Sequence, residues 1–264
     1  MAQVEVLREA IGTGGGNGSG SAIDPQGEVG DGLTSGNAAW SFGGNTPKHF
    51  EDHVSKSVPR YADGHSIVLA ISDFFVKKKS VCYELGCSTG ALTRKLAARH
   101  PGAGRWVGID VEPDMIAQAR EYLERQRPCI QNIEYVADDI LTYSYEPADF
   151  IVAYYTAQFV SPRVRQDLYN RIYQTLNWGS AFVLFEKVRA PDARFQDIAS
   201  SIYIDYKLEQ GYEAGQIIAK SRSLKGVLEP FSTNGNLDML KRAGFADVMT
   251  IFKHICFEGF FCIK

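Results

Sequence analysis

The chain has 264 residues, 45% of them hydrophobic, with a formal net charge of −3 and a pI near 6.0. That is enough chain to bury one substantial core, and the slight acidity argues against a broad electrostatic grip on nucleic acid. There is no run of 18 apolar residues, no signal-peptide pattern at the N-terminus and no C-x-x-C pair among the five cysteines (82, 87, 129, 256, 262), so a cytoplasmic protein with reduced thiols, no membrane partner and no metal is expected.

Residues 1 to 38 are rich in glycine with scattered Ser, Asn and Asp. Burial would not offset their ordering entropy, so a disordered arm without catalytic role is expected, followed by one catalytic domain over 39 to 264. Structure should begin near Trp40. Thr46-Pro47 reads as an N-cap with proline at the first helical position, and Phe50 and Val54 then share a face. A second helix is expected from Gly64, with Ile67, Ile71, Phe74 and Phe75 toward a core. Between them Ser57-Val58-Pro59-Arg60-Tyr61 is a linker able to fold over a ligand mouth, where Tyr61 is either a ligand contact or a packing aromatic.

The most informative stretch runs from Ser80 to Gly90. A short apolar run meets small residues and then a helical pattern, which reads as strand, tight turn and helix start. Glu84 would end the strand, and Gly86, Cys87, Ser88 and Gly90 would form a corner that lets a ligand approach the backbone. A dinucleotide fingerprint starting at Gly86 wants glycine where Ser88 stands, which disfavours NAD. Gly86-Cys87-Ser88-Thr89-Gly90 also spells a hydrolase nucleophile elbow, with His254 downstream in the required order, but no earlier strand pattern is there to carry an oxyanion loop. The third candidate is an acidic Gly-rich nucleotide corner, which predicts a second acid on the next strand. Arg105 to Asp110 supplies it: Asp110, followed by Val111, ends a short apolar run roughly 20 residues on, where a carboxylate accepts ribose hydroxyls. The competing role for Asp110 is to cap the helix opening at Pro113.

Further along, Ile133 to Ala137 reads as a third strand leading to Asp139 and Ile140, an acid for an adenine amine and an apolar residue for its ring. Asp149 to Tyr155 is a fourth strand whose end, at Tyr154 and Tyr155, would point at the reactive part of a ligand. A helix over 162 to 176 precedes an Asn177-Trp178-Gly179-Ser180 turn and a buried fifth strand ending at Glu186. Residues 192 to 230 break the alternation as an insert suited to a lid or substrate wall. A helix over 236 to 243 stops at Gly244, and strands over 246 to 252 and 255 to 263 should pair antiparallel. The fold expected is α/β: a Rossmann-like, seven-stranded, mostly parallel sheet flanked by helices, with a C-terminal antiparallel hairpin.

This order of elements, with Glu84, Gly86, Ser88, Gly90 and Asp110, resembles the class I S-adenosylmethionine (SAM) dependent methyltransferase superfamily over about residues 40 to 264. Within it the chain is similar to the carboxy-SAM synthase branch. The carriers are Ser57 to Tyr61, Leu85 to Gly90, Gln158-Phe159, Glu186-Lys187, Arg222-Ser223-Leu224 and Ala243-Gly244-Phe245. The resemblance implies SAM as cofactor, with Tyr61 at its methionine part, Gly86 to Ser88 lining it, Asp110 on the ribose, Asp139 and Ile140 at the adenine, and Arg222 near the transferred group. The branch has Asn where Tyr154 stands, and Pro-Gly-Tyr where this chain has Pro59-Arg60-Tyr61.

The leading expectation is methylation of a small molecule, with alignment and exclusion of water as the protein's contribution. Tyr154, Tyr155 and Glu186 are the candidates for contacting the nucleophile, and Arg222 for a carboxylate on the acceptor; Arg222 could equally be a solvated charge. The runner-up keeps the SAM site but converts SAM itself, into carboxy-SAM with a carboxylated donor such as prephenate, or by cyclising or cleaving it. A catalytically idle SAM-binding regulator is the third reading, and a homodimer is left open.

Overall fold

The alternation of short apolar runs with amphipathic helices becomes, in a computed structural model that describes residues 26 to 264, one seven-stranded sheet and a separate two-stranded hairpin. In chain order come β1 (Gln26–Gly30), β2 (Leu33–Gly36), α1 (Thr46–Ser57), α2 (Tyr61–Ser72), β3 (Val81–Leu85), α3 (Ala91–Arg99), β4 (Arg105–Asp110) and α4 (Pro113–Arg125). Then follow β5 (Ile133–Ala137), β6 (Ala148–Tyr154), α5 (Pro162–Thr175), β7 (Leu176–Lys187), α6 (Ala193–Glu209), α7 (Ala214–Ser223), α8 (Thr233–Ala243), β8 (Asp247–His254) and β9 (Phe257–Ile263). The sheet order is β5-β4-β3-β6-β7-β9-β8; β9 is antiparallel to both β7 and β8, and the other pairs are parallel. The expected fold is the one observed.

Strand periodicity divides the core into two layers. Tyr83, Leu85, Ile109, Ile151, Phe182 and Leu184 pack with Leu168, Ile172 and Leu240 of α5 and α8. Their neighbours Cys82, Phe150, Val152, Val183 and Phe185 pack on the opposite face, with Val68, Leu92 and Leu96 of α2 and α3. A parallel sheet covered on both faces leaves its strand ends as the place where a ligand can reach the backbone.

Three expectations need correction. Residues 177 to 180 do not separate helix from strand as a turn but lie inside β7, which starts at Leu176; its pairing with β6 is irregular there, and Gly179 N donates to Lys264 O at 2.7 Å. The second helix starts at Tyr61 rather than Gly64, directly after Arg60 takes a left-handed conformation, and ends at Ser72, so that Phe74, expected toward the core, is exposed beyond it. The arm expected to be disordered over 1 to 38 is, in its described part, the antiparallel hairpin β1–β2; residues 1 to 25 lie outside the described residues.

The hairpin is held by burial and by charge. Val29, Leu33 and Trp40 are buried together against Ala219, Leu224 and Val227 of the insert. Gly30 has φ +96°, and a Cβ there would overlap the Tyr212 ring, so only glycine lets the strand lie this close. At the hairpin turn the Asp31 carboxylate is 2.7 Å from each of His53 Nδ1, Lys56 Nζ and Tyr212 Oη. Beyond the turn, Ala38 N and Trp40 N donate to the carbonyls of Arg222 and Ser223 at 3.0 and 3.2 Å. No helix among the described residues is long and apolar enough to cross a membrane.

Because Leu33 is 5% exposed in this cluster, Leu33→Ala should lower stability by about 2–3 kcal/mol. A urea midpoint equal to that of the parent protein would mean that the hairpin does not dock in solution.

Candidate functional site

β3 lies between β4 and β6; the chain leaves β3 toward β4 and leaves β6 the opposite way, toward β7, so the two connections diverge at the carboxyl ends of these neighbours. That is the topological switch where open α/β sheets hold ligands. Here lies a cavity of about 1090 Å³. It is lined by the loops after β3, β4, β5 and β6, by the insert helices α6 and α7, and by Trp40 and Phe42 after the hairpin.

The corner after β3 is shaped by backbone. Gly86 has φ +69°, its N–H donates to Ile109 O at 2.7 Å, and a Cβ there would overlap the Thr156 side chain. Ser88 also has a left-handed φ, of +49°, a conformation that costs an ordinary residue about 1 kcal/mol or more. Its N–H donates to Asp110 Oδ2 at 2.8 Å, and Glu112 N donates to Asp110 Oδ1 at 3.0 Å. Asp110 therefore braces the loop and also faces the cavity, where burial pushes its carboxyl above the usual range against the pull of those two donors. Glu84 is 4% exposed and accepts from Thr93 Oγ1; burial pushes its carboxyl up to about 8.

The cavity brings together Tyr61, Glu84, Gly86, Cys87, Ser88, Asp110, Val111, Asp139, Ile140, Tyr154, Tyr155 and Arg222. Asp139 Oδ1 is engaged by Leu141 N at 2.8 Å, and Val111, largely exposed, stands at the mouth. Cys87 is buried and its thiol is pushed well up by burial. Gly90 is not part of the lining: with φ +75° it caps α3, against the Tyr135 ring. Tyr154 Oη donates to Tyr61 O at 2.5 Å, so its hydroxyl is spoken for by the backbone, and burial pushes the Tyr154 and Tyr155 phenols far above the ordinary value. Arg222 is exposed at the rim and forms no ion pair with a described residue.

Glu186 is the clear correction among the expected catalytic residues. Counting by twos from Phe182 and Leu184 puts it on the α5/α8 face of the sheet, away from the cavity lining. It is fully buried, neither carboxylate oxygen has a well-aligned hydrogen-bond partner, and burial pushes its carboxyl up to about 8 despite Arg165 and the backbone N–H groups of Gln158 and Ala157 nearby. The same alternation turns Lys187 to the cavity, where it is joined by Arg189, Lys207, Lys220 and Lys225. Sequence reasoning missed these lysines as site residues; the signal for Lys187 was its period-two offset from Glu186. The hydrolase reading also ends here. His254 lies on β8, four strand positions from β3, or roughly 19 Å away at the usual strand spacing.

A family model described as a methyltransferase domain matches residues 83–179. Among solved structures, human N-acetylserotonin methyltransferase in complex with SAM superposes with a TM-score of 0.56 at 16% identity, covering 83% of this chain and 54% of that one. This chain thus spans about half the length of that methyltransferase. Fold and switch-point corner are those of a Rossmann-like methyltransferase domain. The carboxy-S-adenosyl-L-methionine synthase of Staphylococcus epidermidis is 34% identical over 226 residues, 85% of this chain and 97% of that protein. The synonymous protein of Chromohalobacter salexigens is 34% identical over 228 residues, 86% of this chain and 84% of that protein. The chain belongs to the carboxy-S-adenosyl-L-methionine synthase family.

Glu84 and Glu186 have an ordinary value of 4.5 and a folded-state value of about 8, so the folded protein binds protons that the unfolded chain gives up. Their contribution to stability is complete below about pH 4.5 and is lost as pH rises through 8. His53 and Lys220, held below their ordinary values, act with the opposite sign, so the difference between proteins is what is read: the melting temperature of ligand-free Glu186→Gln should rise relative to that of the parent as pH goes from about 4.5 to 8. An identical slope in the variant would show that Glu186 is already ionised in the folded protein.

Proposed function

We propose that this protein converts SAM itself, joining a carboxyl group from a small carboxylated donor to the SAM methyl carbon, as the name of its relatives describes: the donor's bond to that carboxyl breaks, the new C–C bond forms at the methyl carbon, and the proton that carbon gives up ends on the remaining donor fragment. Support thereby moves from methylation of a separate acceptor, the leading expectation from sequence, to the reading held second. One observation carries it. Where the insert closes the cavity, the lining holds Lys187, Arg189, Lys207, Lys220, Arg222 and Lys225 with Glu229 as their acidic neighbour, while the three strand-end residues expected to contact a nucleophile, Tyr154, Tyr155 and Glu186, are not placed to act as its base. Tyr154 is engaged, Tyr155 is held neutral by burial, and Glu186 faces the other side of the sheet.

The residues fit a nucleoside sulfonium at the acidic side of the same cavity. The Gly86 corner leaves no room for a Cβ but lies open to a ligand, Asp110 offers a carboxylate for a ribose diol, and Asp139 with Ile140 suits an adenine edge and face. Bound SAM supplies a methyl group whose C–H bonds are acidified by the adjacent sulfonium. On our reading Tyr61, stacked on Tyr155 with ring centroids 6.3 Å apart, walls the methionine end and excludes water. Arg222, at the rim, would hold the carboxylate of the donor or of the carboxylated product, a charge-assisted pairing that also offsets repulsion between guanidinium and sulfonium.

Incubating the protein with SAM and a carboxylated donor, and following products by mass, should yield carboxy-SAM. Accumulation of S-adenosylhomocysteine, or of methylthioadenosine, would overturn the proposal. Asp110→Ala should weaken SAM binding by at least about 1.5 kcal/mol, because two hydroxyl donors lose a charged acceptor and the Ser88 loop loses its brace; calorimetry with unchanged affinity would remove Asp110 from the site. Arg222→Met should suppress carboxy-SAM formation while SAM affinity holds, and full activity in that variant would make Arg222 a plain surface charge.

A further inference from the structure

Three lysine side chains from three different elements line this one cavity: Lys187 at the end of β7, Lys207 in α6 and Lys220 in α7. Lys207 and Lys220 are each only 7% exposed. The amines rest on aromatic faces instead of acids. Lys187 Nζ is 4.3 Å from the Tyr203 centroid, Lys207 Nζ is 5.0 Å from the same ring and 5.9 Å from Tyr212, and Lys220 Nζ lies on the face of Trp40. None of the three forms an ion pair with a described residue.

The surroundings supply little negative charge to them: Glu229, the acid of this part of the lining, forms an ion pair with none of the three. Asp31 faces Lys220 from the hairpin turn, but its carboxylate already takes His53, Lys56 and Tyr212. His53, from α1, is pushed down to about 4 by burial and is neutral. Cys256 lies beside Lys187 and Lys207 with its thiol pushed up by burial, the Tyr203, Tyr206 and Tyr212 phenols are pushed up as well, and Arg189 and Lys225 add positive charge near Lys187. Burial and mutual repulsion accordingly push Lys220 down to about 5 and Lys207 down to about 8. A crowd of ammonium groups without counter-charge is relieved by giving up protons, and a carboxylate entering within a few ångströms reverses that balance.

We propose that the chamber formed by Lys187, Lys207 and Lys220 is a subsite for an organic anion, which it binds by taking a proton from solvent onto a lysine amine as the carboxylate enters. The bookkeeping is complete: a neutral Lys220 amine plus one proton from the buffer becomes an ammonium ion, and the ion pair forms without further bond making. The aromatic walls of Trp40, Tyr203 and Phe257 suit the apolar body of a carboxylate better than the hydration of a free inorganic ion. The subsite stands on the cavity and its amines, so it holds whichever way SAM is converted.

The test is calorimetric titration of the full chain with succinate near pH 7.5, in buffers of low and of high ionisation enthalpy, with inorganic phosphate run beside it. The expected result is uptake of roughly 0.5 to 1 proton per site, with succinate affinity falling close to tenfold per pH unit as pH rises. Lys220→Met should lower succinate affinity about tenfold or more and remove the buffer dependence, whereas Lys220→Arg, permanently charged, should bind without proton uptake. Melting curves establish that each variant is folded, and should neither fold, the buffer pair on the parent protein decides alone. Equal heats in both buffers would overturn the proposal, as would no succinate binding at ~20 mM, far above the range of a specific site, or tighter binding of phosphate than of succinate. Because no turnover is read, such a failure leaves the conversion of SAM to be judged by its own products.

Discussion

The site depends on one constraint: a parallel sheet buried on both faces offers its backbone to a ligand only at the carboxyl ends of its strands, and most openly where neighbouring connections diverge. β3 and β6 meet that condition. Gly86 and Ser88, at positive φ, turn the chain over the mouth of the crevice, and Asp110 of the adjacent β4 ties the turn by accepting the Ser88 N–H. The strain at Ser88 is thus stored next to a half-buried carboxylate, and loop and ligand acceptor are one unit. Loosening either would move both.

On the other half of the sheet the decisive physics is the two-residue period of β7. Glu186 and Lys187 are neighbours in sequence and separated by the full thickness of the sheet. Glu186 is buried and Lys187 half-buried, and each shifts toward its neutral form. Burial of a carboxylate is expensive, and for Glu186 it outweighs Arg165 and the backbone N–H groups of Gln158 and Ala157, so the residue is better understood as a proton held in the core than as a charge. The lysines opposite face a cavity, where an incoming anion can supply what the protein does not.

The roof over that cavity is made from parts that the sheet does not supply. The insert contributes α6 and α7, and the hairpin clamps α7 from outside through Val29, Leu33 and Trp40. Asp31 is the pin of this clamp: burial alone would raise its carboxyl, yet three side-chain donors bring it down to about 2. Trp40 then serves twice, as core of the hairpin and as a cavity wall under Lys220.

Much of this was legible in the amino-acid sequence. Strand, turn and helix around Glu84 to Gly90, the acid at Asp110, the order of elements and the closing antiparallel hairpin are local patterns, written in periodicity, proline and glycine. The cofactor class followed from the same residues. Two kinds of fact were settled only by tertiary structure. A Gly-rich segment such as 26 to 36 has no local reason to order, and it orders because Val29 and Leu33 find apolar partners some two hundred residues away and Asp31 finds three donors on α1 and the insert. The face on which Glu186 and Lys187 fall, and the meeting of Lys187, Lys207 and Lys220 in one chamber, depend on how the insert folds back over the strand ends, because long-range packing and electrostatics have no period along the chain.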